Sequence, residues 1–363
     1  EMHGRPSFTQ VLENVSKVYS ENREKIIAQV SQLQMVFKEF NRKNAVLNQN
    51  LEPYAEKIIQ YFDEINGGFK GAPKFPQFYV FDTIFYFYKK NNDKKFLTPV
   101  EKLLNNISSK GIYDQLEGGI ARYTVDEKWI VPHFEKMLYD NILYVNLLNQ
   151  FLQKENSDYL KNKLKQTIKF INSEFVSEST LLGSAYDADS EGIEGKYYIW
   201  KYDEIKSQLK NKFEIFNKKY LITKEGNFEG SNILIENTDN KFTDEEIEKL
   251  KEAESLLLIE RKKRIKPFFD NKVQTDLNCY WLYSNLYSSL ILNDQELYNK
   301  TINSINLINE KLKKNIFHCY NKENREIDVF LEDYVYYSLL LITLYEINND
   351  KISLKKCEKI MEE

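Results

Sequence analysis

The sequence predicts a mainly α protein: an array of α/α hairpins closed or nearly closed into a toroid, with a small β-hairpin insertion. Three observations carry this. Roughly a dozen segments space their apolar residues at helical period. Glycine-bearing loops punctuate the helix pairs, at Gly67–Pro76, Lys110–Pro132 and Gly226–Gly230. No repeat of roughly 30–40 residues is visible, which argues against a solenoid of short units.

The 363 residues are 42% hydrophobic and 29% charged, a globular balance with enough chain for a large core. Net charge is −4 and no block of basic residues stands out, so neither nucleic acid nor an anionic surface is an expected partner. No apolar run approaches the roughly 20 residues of a membrane span. Cys279, Cys319 and Cys357 lie far apart, form no C-x-x-C pattern and are odd in number, which fits a reducing, cytoplasmic setting. The opening Glu1-Met2-His3-Gly4-Arg5-Pro6 reads as the middle of a longer protein.

The elements follow in order. Phe8 to about Val36 is an amphipathic helix or helix pair, with Val11, Val15, Val18 and Ile26 near one face. Asn41–Asn50 is a polar linker. Leu51–Ile65 is helical, with Tyr54, Ile58, Tyr61 and Phe62 on one side, until the glycines from Gly67 break it. Phe78–Lys90 and Pro99–Ser108 follow, then Pro132–Leu152 and Tyr159–Phe175. Leu181–Tyr186 and Lys196–Trp200 read as strands flanking an acidic turn. Short helices fill Tyr202–Tyr220. Thr243–Lys263 is a charged helix with Asp244, Glu245 and Glu246 in its favourable first turn. Asp276–Leu292, Gln295–Lys314, Val329–Ile347 and Ser353–Met361 complete the set.

The densest chemistry lies in the run from Gly118 to Asn141. Pro132 suits the first position of a helix, where its missing N–H costs nothing. That places His133 and Glu135 in the first turn, where the helix dipole favours a neutral imidazole and an ionised carboxylate. Glu135 would then point about 200° away from His133 at roughly 100° per residue. Asp140, seven residues on, would share a helix face with His133, making these two the better acid–base pair. The competing reading is a buried histidine bonded to a carbonyl. Arg122 is a candidate substrate clamp. Asp126 and Glu127 serve a ligand or simply stabilise the loop. Tyr113, Tyr123, Trp129, Tyr186 and Trp200 are candidate sugar-stacking rings, although most of the 25 Tyr and 23 Phe should be core.

Asp187, Asp189, Glu191 and Gly192 match the start of a calcium-binding EF-hand loop, but Tyr198 stands where the bidentate Glu belongs, so calcium is not expected. Asp187 and Asp189 instead suit a hairpin tip facing a groove, where paired carboxylates can perform glycosidic acid–base work. Asp333 either caps a helix or joins the site. His318 and Cys319 lack companions at metal-ligand spacing and read as structural. No metal and no cofactor is expected: the glycine loops carry neither phosphate-loop nor dinucleotide-binding patterns.

Five motifs occur in a familiar order: Gly67-Gly-Phe-Lys-Gly-Ala-Pro-Lys-Phe-Pro76, Arg122-Tyr-Thr-Val-Asp126, Val131-Pro-His-Phe-Glu-Lys-Met-Leu-Tyr-Asp-Asn141, Asp187-Ala-Asp-Ser-Glu-Gly192 and Gly226-Asn-Phe-Glu-Gly230. From Leu51 to Ile347 the chain resembles the thioredoxin-domain-containing, N-acylglucosamine 2-epimerase-like family (the spermatogenesis-associated protein 20-like proteins). The resemblance implies a thioredoxin-like domain followed by an (α/α)6 toroid of the six-hairpin glycosidase type. It makes residues 1–40 a remnant of the C-terminal end of that domain and 51–363 the toroid. It departs from the family at Gln115, where His is usual, at Glu117 and Cys279, where Gly is usual, and at Leu277, where Trp is usual. Loss of the histidine at Gln115 leaves His133 as the only histidine in the motifs. A carbohydrate-active enzyme of epimerase, isomerase or glycosidase type is the first expectation, with a small carbohydrate as ligand. A non-catalytic sugar- or protein-binding toroid, or a module serving a separate thioredoxin-like partner chain, are the alternatives, because fold kinship does not fix function.

Overall fold

The computed structural model describes residues 6–42, 51–177, 181–312, 316–320 and 327–362. His3 and most of the expected linker lie outside the described residues. The chain divides into two compact units, residues 1–54 and 55–363. The first holds α1 (Phe8–Glu21) and α2 (Arg23–Arg42). Ser7 and Gln10 start α1 with a reciprocal capping box, each side chain accepting from the other's backbone N–H. A short α3 (Glu52–Ile59) crosses the boundary into the larger unit.

The larger unit alternates inner and outer helices. α4 (Phe78–Asn91), α6 (Leu138–Leu152), α11 (Thr275–Leu292) and α13 (Leu331–Asn348) pack side by side in that order. α5 (Lys94–Ser109), α7 (Asp158–Glu174), α12 (Gln295–Lys311) and α14 (Lys351–Glu362) each return along the outside of the preceding inner helix. Sequence chemistry sorts the two classes. The outer α7 buries a single stripe, Leu160, Leu164, Thr167, Ile168 and Ile171. The inner α11 buries nearly every direction, from Asn278 and Cys279 through Trp281, Leu282, Ser284, Asn285 and Leu286. Small polar side chains hold the inner helices in register: Asn149 donates to the Ser284 carbonyl at 2.9 Å and accepts from Ser288 Oγ at 3.0 Å. Among the described residues, four inner–outer hairpins stand in succession. Between the second and third, α8 (Tyr202–Leu209), α9 (Phe213–Tyr220) and α10 (Asp244–Arg261) form a satellite around Trp200, Phe213, Phe216, Tyr220 and Leu257.

Two helix starts differ from the sequence reading, both at prolines. α5 begins at Lys94 because the Asp93 carboxylate caps Lys95 N at 3.0 Å, and Pro99 is carried inside the helix, buried. α6 begins at Leu138, so Pro132 opens a strand instead of a helix.

The strands are short: β1 (Tyr123–Thr124), β2 (Pro132–His133), β3 (Lys136–Met137), β4 (Ala185–Tyr186), β5 (Asp189–Ser190), β6 (Ile193–Glu194), β7 (Phe269–Asp270), β8 (Val273–Gln274) and β9 (Cys319–Tyr320). β1 pairs with β2, β5 with β6, β8 with β9, and β4 lies between β3 and β7, all antiparallel. The hairpin insertion is tighter than expected. It closes at Glu191-Gly192, both at positive φ (54° and 73°), as a two-residue hairpin turn requires. Lys196–Trp200 is no strand and makes one bridge, Trp200 to Asn232.

These ladders gather the N-terminal ends of the inner helices on one rim. Lys74 and Thr124 exchange backbone hydrogen bonds between the loops entering α4 and α6. Leu138 N donates to Ser184 O, and Ser184 N to Asp270 O, tying the entry of α6 to that of α11. Asp276 N donates to Asp333 Oδ1, tying α11 to α13.

Candidate functional site at the rim of the inner helices

The segment leading into α6 alternates. Pro132, Phe134, Lys136, Leu138 and Asp140 are buried, while His133, Glu135, Met137 and Tyr139 are half-exposed. This is the period of two of an extended chain. Phe134 stacks on Tyr198 at 5.7 Å. Lys136 occupies an inward position because Asp114 lies 2.8 Å from its Nζ and the Phe170 ring lies 4.3 Å away. Gly119 makes room here: a Cβ on it would meet the Phe170 ring at 2.3 Å, and its φ is +80°.

The outward residues make the site. His133 Nδ1 lies 2.6 Å from Glu194 Oε1 on the β5–β6 hairpin. In the neutral ring a carboxylate there holds the hydrogen on Nδ1 and puts the lone pair on Nε2. The imidazole stacks on Tyr123 at 5.0 Å, and Tyr123 stacks on Phe75 at 4.6 Å, so three rings form a ladder. Arg122 Nη1 donates to Glu135 Oε2 at 3.1 Å across the adjoining strands. Asp140, in the first turn of α6, is 8% exposed, and its Oδ2 has no hydrogen-bond partner among the described residues. Burial pushes its carboxyl up to about 7, against the opposing pull of Arg122 and with help from the Glu135 charge. A carboxyl titrating there can give or take a proton near neutral pH.

Several expected roles change. The pairing of His133 with Asp140 along one helix face does not form, because His133 belongs to β2. For the same reason, neither His133 nor Glu135 sits in a first helical turn. Trp129 is fully buried, with Nε1 donating to Asn66 O at 2.9 Å, and it packs against Gly68 and Lys74 as core. Tyr186 is buried, stacks on Phe269 at 4.7 Å and donates its hydroxyl to Glu174 O. Tyr113 and Trp200 are also interior. Of the five candidate rings, only Tyr123 is left at the surface. Asp126 spends its carboxylate on the backbone N–H groups of Lys128, Ile130 and Val131. Asp187 and Asp189 are exposed on the hairpin; Asp187 caps its neighbour Ala188 N, while Glu194 from the same hairpin reaches His133.

Gln115 is buried beneath the rim segment. Its side chain accepts from Lys163 at 2.7 Å and donates to the Ser108 and Lys110 carbonyls. Glu117 joins a buried charge cluster in which Arg261 bonds Asp114 bidentately at 2.9 Å and Glu117 at 3.0 Å. Burial alone would raise the Asp114 carboxyl, but Arg261 and Lys136 overcome it and hold it well below the usual range. Both departures are therefore accommodated in the scaffold, and the rim keeps its own titratable groups.

A second cluster on the rim was read from sequence as unconnected. His318 Nδ1 lies 3.2 and 3.1 Å from the two carboxylate oxygens of Asp333, which is fully buried. Asp276, in the first turn of α11, completes a group whose ligand atoms lie within 4.8 Å of one another. His318 thus has the companions its sequence neighbourhood lacks. A larger cavity, about 760 Å³, lies on the outer side among Lys169, Asn172, Trp281 and Lys300 and includes none of the rim residues. The rim is an open surface, and its case rests on its chemistry.

Fold and rim together define an α/α toroid with a titratable mouth. A family 76 glycoside hydrolase from a bovine Bacteroides thetaiotaomicron strain shares this architecture, with a TM-score of 0.50 and 11% identity over 87% of this chain and 56% of that one. The fold is accordingly the (α/α)6, six-hairpin type. A sugar epimerase from a ruminal bacterium also matches, with a TM-score of 0.41 and 14% identity over 87% of this chain and 84% of that one. By sequence, the chain is similar to human spermatogenesis-associated protein 20, 25% identical over an alignment of 349 positions that covers 81% of this chain and 44% of the human one. It is also similar to an uncharacterised Caenorhabditis elegans protein, 26% identical over 82% of this chain and 48% of that one. The chain spans about half the length of these curated relatives. No family model matches it.

Proposed function

We propose that this chain is a carbohydrate-active enzyme of the sugar epimerase or isomerase class. The fold it shares with a glycoside hydrolase supports a sugar as ligand. The single observation that favours proton transfer over hydrolysis is the imidazole of His133, held by Glu194 on a rim that also carries the near-neutral Asp140. Hydrolysis needs two carboxylates free to act on one bond. Here Asp126 is consumed by its loop, Glu135 is paired with Arg122, and Asp187 and Asp189 lie exposed to solvent, with Asp187 turned back onto Ala188 N.

In the proposed reaction, His133 Nε2 takes the proton from the carbon beside the sugar carbonyl. The electron pair moves onto the carbonyl oxygen, which the Arg122 guanidinium neutralises. A second group returns a proton to carbon from the other face. The Phe75–Tyr123 ladder offers an apolar ring face of the kind on which sugars stack. Incubating the protein in D₂O with free and N-acylated sugars tests this by NMR. The expected result is deuterium at the carbon next to the carbonyl, abolished in His133→Ala. No incorporation across the panel, with anomers and linkages unchanged, rejects the enzyme.

The exposed aromatic ladder also supports a second reading, a toroid that binds sugar without turning it over; retained affinity without turnover in the unsubstituted protein would select it. A thioredoxin-like partner chain rests on the family resemblance alone, and co-purification tests it. The three free cysteines are all buried, in keeping with a reducing compartment.

A further inference from the structure

We propose that Asp276, His318 and Asp333 bind a divalent transition-metal cation, such as Zn²⁺, on the rim at the entries of α11 and α13. The inference stands apart from the sugar reading and does not depend on it.

Counting hydrogens around His318 leads to the cation. Ser184 Oγ lies 2.7 Å from the Lys272 carbonyl oxygen and 2.8 Å from the end of the Gln274 amide labelled Oε1. A hydroxyl has one hydrogen, so it cannot serve two acceptors at once. The two ends of a side-chain amide are told apart by this kind of accounting. If the Ser184 hydrogen goes to Lys272 O, the Gln274 end facing Ser184 is satisfied as the NH₂. The amide oxygen then faces His318 Nε2, 3.2 Å away. That oxygen needs an N–H from the ring, so the hydrogen of the neutral imidazole sits on Nε2. Nδ1 is left as a bare lone pair aimed at Asp333.

The rest of the cluster offers only lone pairs. Asp333 Oδ1 already accepts from Asp276 N at 3.0 Å, and Oδ2 from Phe330 N at 2.9 Å. Each oxygen keeps its second lone pair for the space next to His318. Asp276 Oδ1 is buried with no hydrogen-bond partner among the described residues. With the ring hydrogen on Nε2, these three donors have no hydrogen between them and repel one another unless something positive sits there. A second ring proton would fill the gap between Nδ1 and Asp333 but leave Asp276 Oδ1 unpartnered. A metal ion serves all three.

The spacing of His318 and Asp333 agrees, and Asp276 offers a carboxylate oxygen within 4.8 Å of both. Two donors about 2.0–2.2 Å from one zinc ion stand roughly 3.3–3.5 Å apart at a tetrahedral angle. His318 Nδ1 and the Asp333 oxygens are 3.1 and 3.2 Å apart. The Gln274 amide is the outer partner that fixes the ring of a metal-bound histidine. One imidazole nitrogen with two carboxylates suits Zn²⁺, Mn²⁺ or Co²⁺, with the remaining positions open to water. The His318 side chain is 16% exposed, which gives an ion a way in.

The test uses the whole chain stripped with EDTA, titrated with ZnCl₂ by calorimetry and with CoCl₂ by visible absorption. The expected result is saturable uptake of a single ion and a cobalt spectrum of low-coordinate N/O type. Asp276→Asn should weaken uptake by at least about tenfold, the scale on which metal-site changes act. It breaks no bond of Asp276 Oδ1, so the fold, read by circular dichroism, should persist. His318→Asn should do the same. Absence of saturable uptake overturns the site, as does uptake unchanged in Asp276→Asn. Nitrogen NMR showing both ring nitrogens of His318 protonated and unmoved by Zn²⁺ overturns it too.

Discussion

Replacing Asp140 with Asn should change how stability depends on pH, and the size of the change follows from the site. The carboxyl titrates from a normal value of 3.8 in the unfolded chain to about 7 in the fold, raised by burial. Between those values the unfolded chain has released its proton and the folded one has not. The unfolded state therefore binds fewer protons, and stability falls as pH rises through this window, then levels above pH 7. The full span, at roughly 1.4 kcal/mol per pH unit, is about 4 kcal/mol. Most of it accrues between pH 5 and pH 8, where about 2–3 kcal/mol is expected. Asn cannot ionise and carries none of it. Urea denaturation of both proteins at pH 5 and pH 8 isolates the effect, because the other titrating groups cancel in the difference. Asp140→Asn should gain on the parent by that amount on going to pH 8. Parallel pH profiles for the two proteins would show that Asp140 is not held protonated in the fold.

Other outcomes follow from the same geometry. His133→Ala should lower the rate of solvent deuterium exchange into substrate by about 10²–10⁴, the usual worth of a positioned base, measured by NMR under saturating sugar. Arg261→Met leaves Asp114 and Glu117 buried without their shared cation and should cost about 3–5 kcal/mol by urea denaturation; a loss under 1 kcal/mol would show that Lys136 and Lys262 suffice. Gly119→Ala drives a methyl into the Phe170 ring at a positive φ and should destabilise by about 2–4 kcal/mol, seen as a lower urea midpoint with unchanged slope. Trp129→Phe should lower stability while leaving ligand affinity intact, since its indole bonds Asn66 O in the core.

Helices were legible where their signals are local. Ser157, Thr243 with Glu246, and Asp294 cap α7, α10 and α12, and each helix starts within one residue of the start its apolar spacing gave. The two prolines misled because a helix-start preference is weak evidence. At Pro99 an aspartate six residues earlier supplies a stronger start, and at Pro132 the chain pairs with β1 instead. In the lead-in to α6, the buried Lys136 broke the apolar alternation that would have signalled a strand. Its partner Asp114 is 22 residues away, beyond any local pattern. The site's own pairings are more distant still. Glu194 is 61 residues from His133, and Gln274 is 44 from His318. Sequence proximity identified which residue types mattered, but tertiary folding chose their partners and retired Trp129 and Tyr186 to the core.

The extended lead-in to α6 has an evolutionary consequence. Substitutions at 135 and 139 can retune what the rim binds, because neither side chain holds up the interior. A one-residue insertion or deletion anywhere between 132 and 138 does the opposite. It would turn Phe134 and Lys136 outward and drive His133 and Glu135 into the space they vacate, exchanging recognition surface for core in one step. Lineages carrying this segment should therefore tolerate drift at 135 and 139 but not in its length.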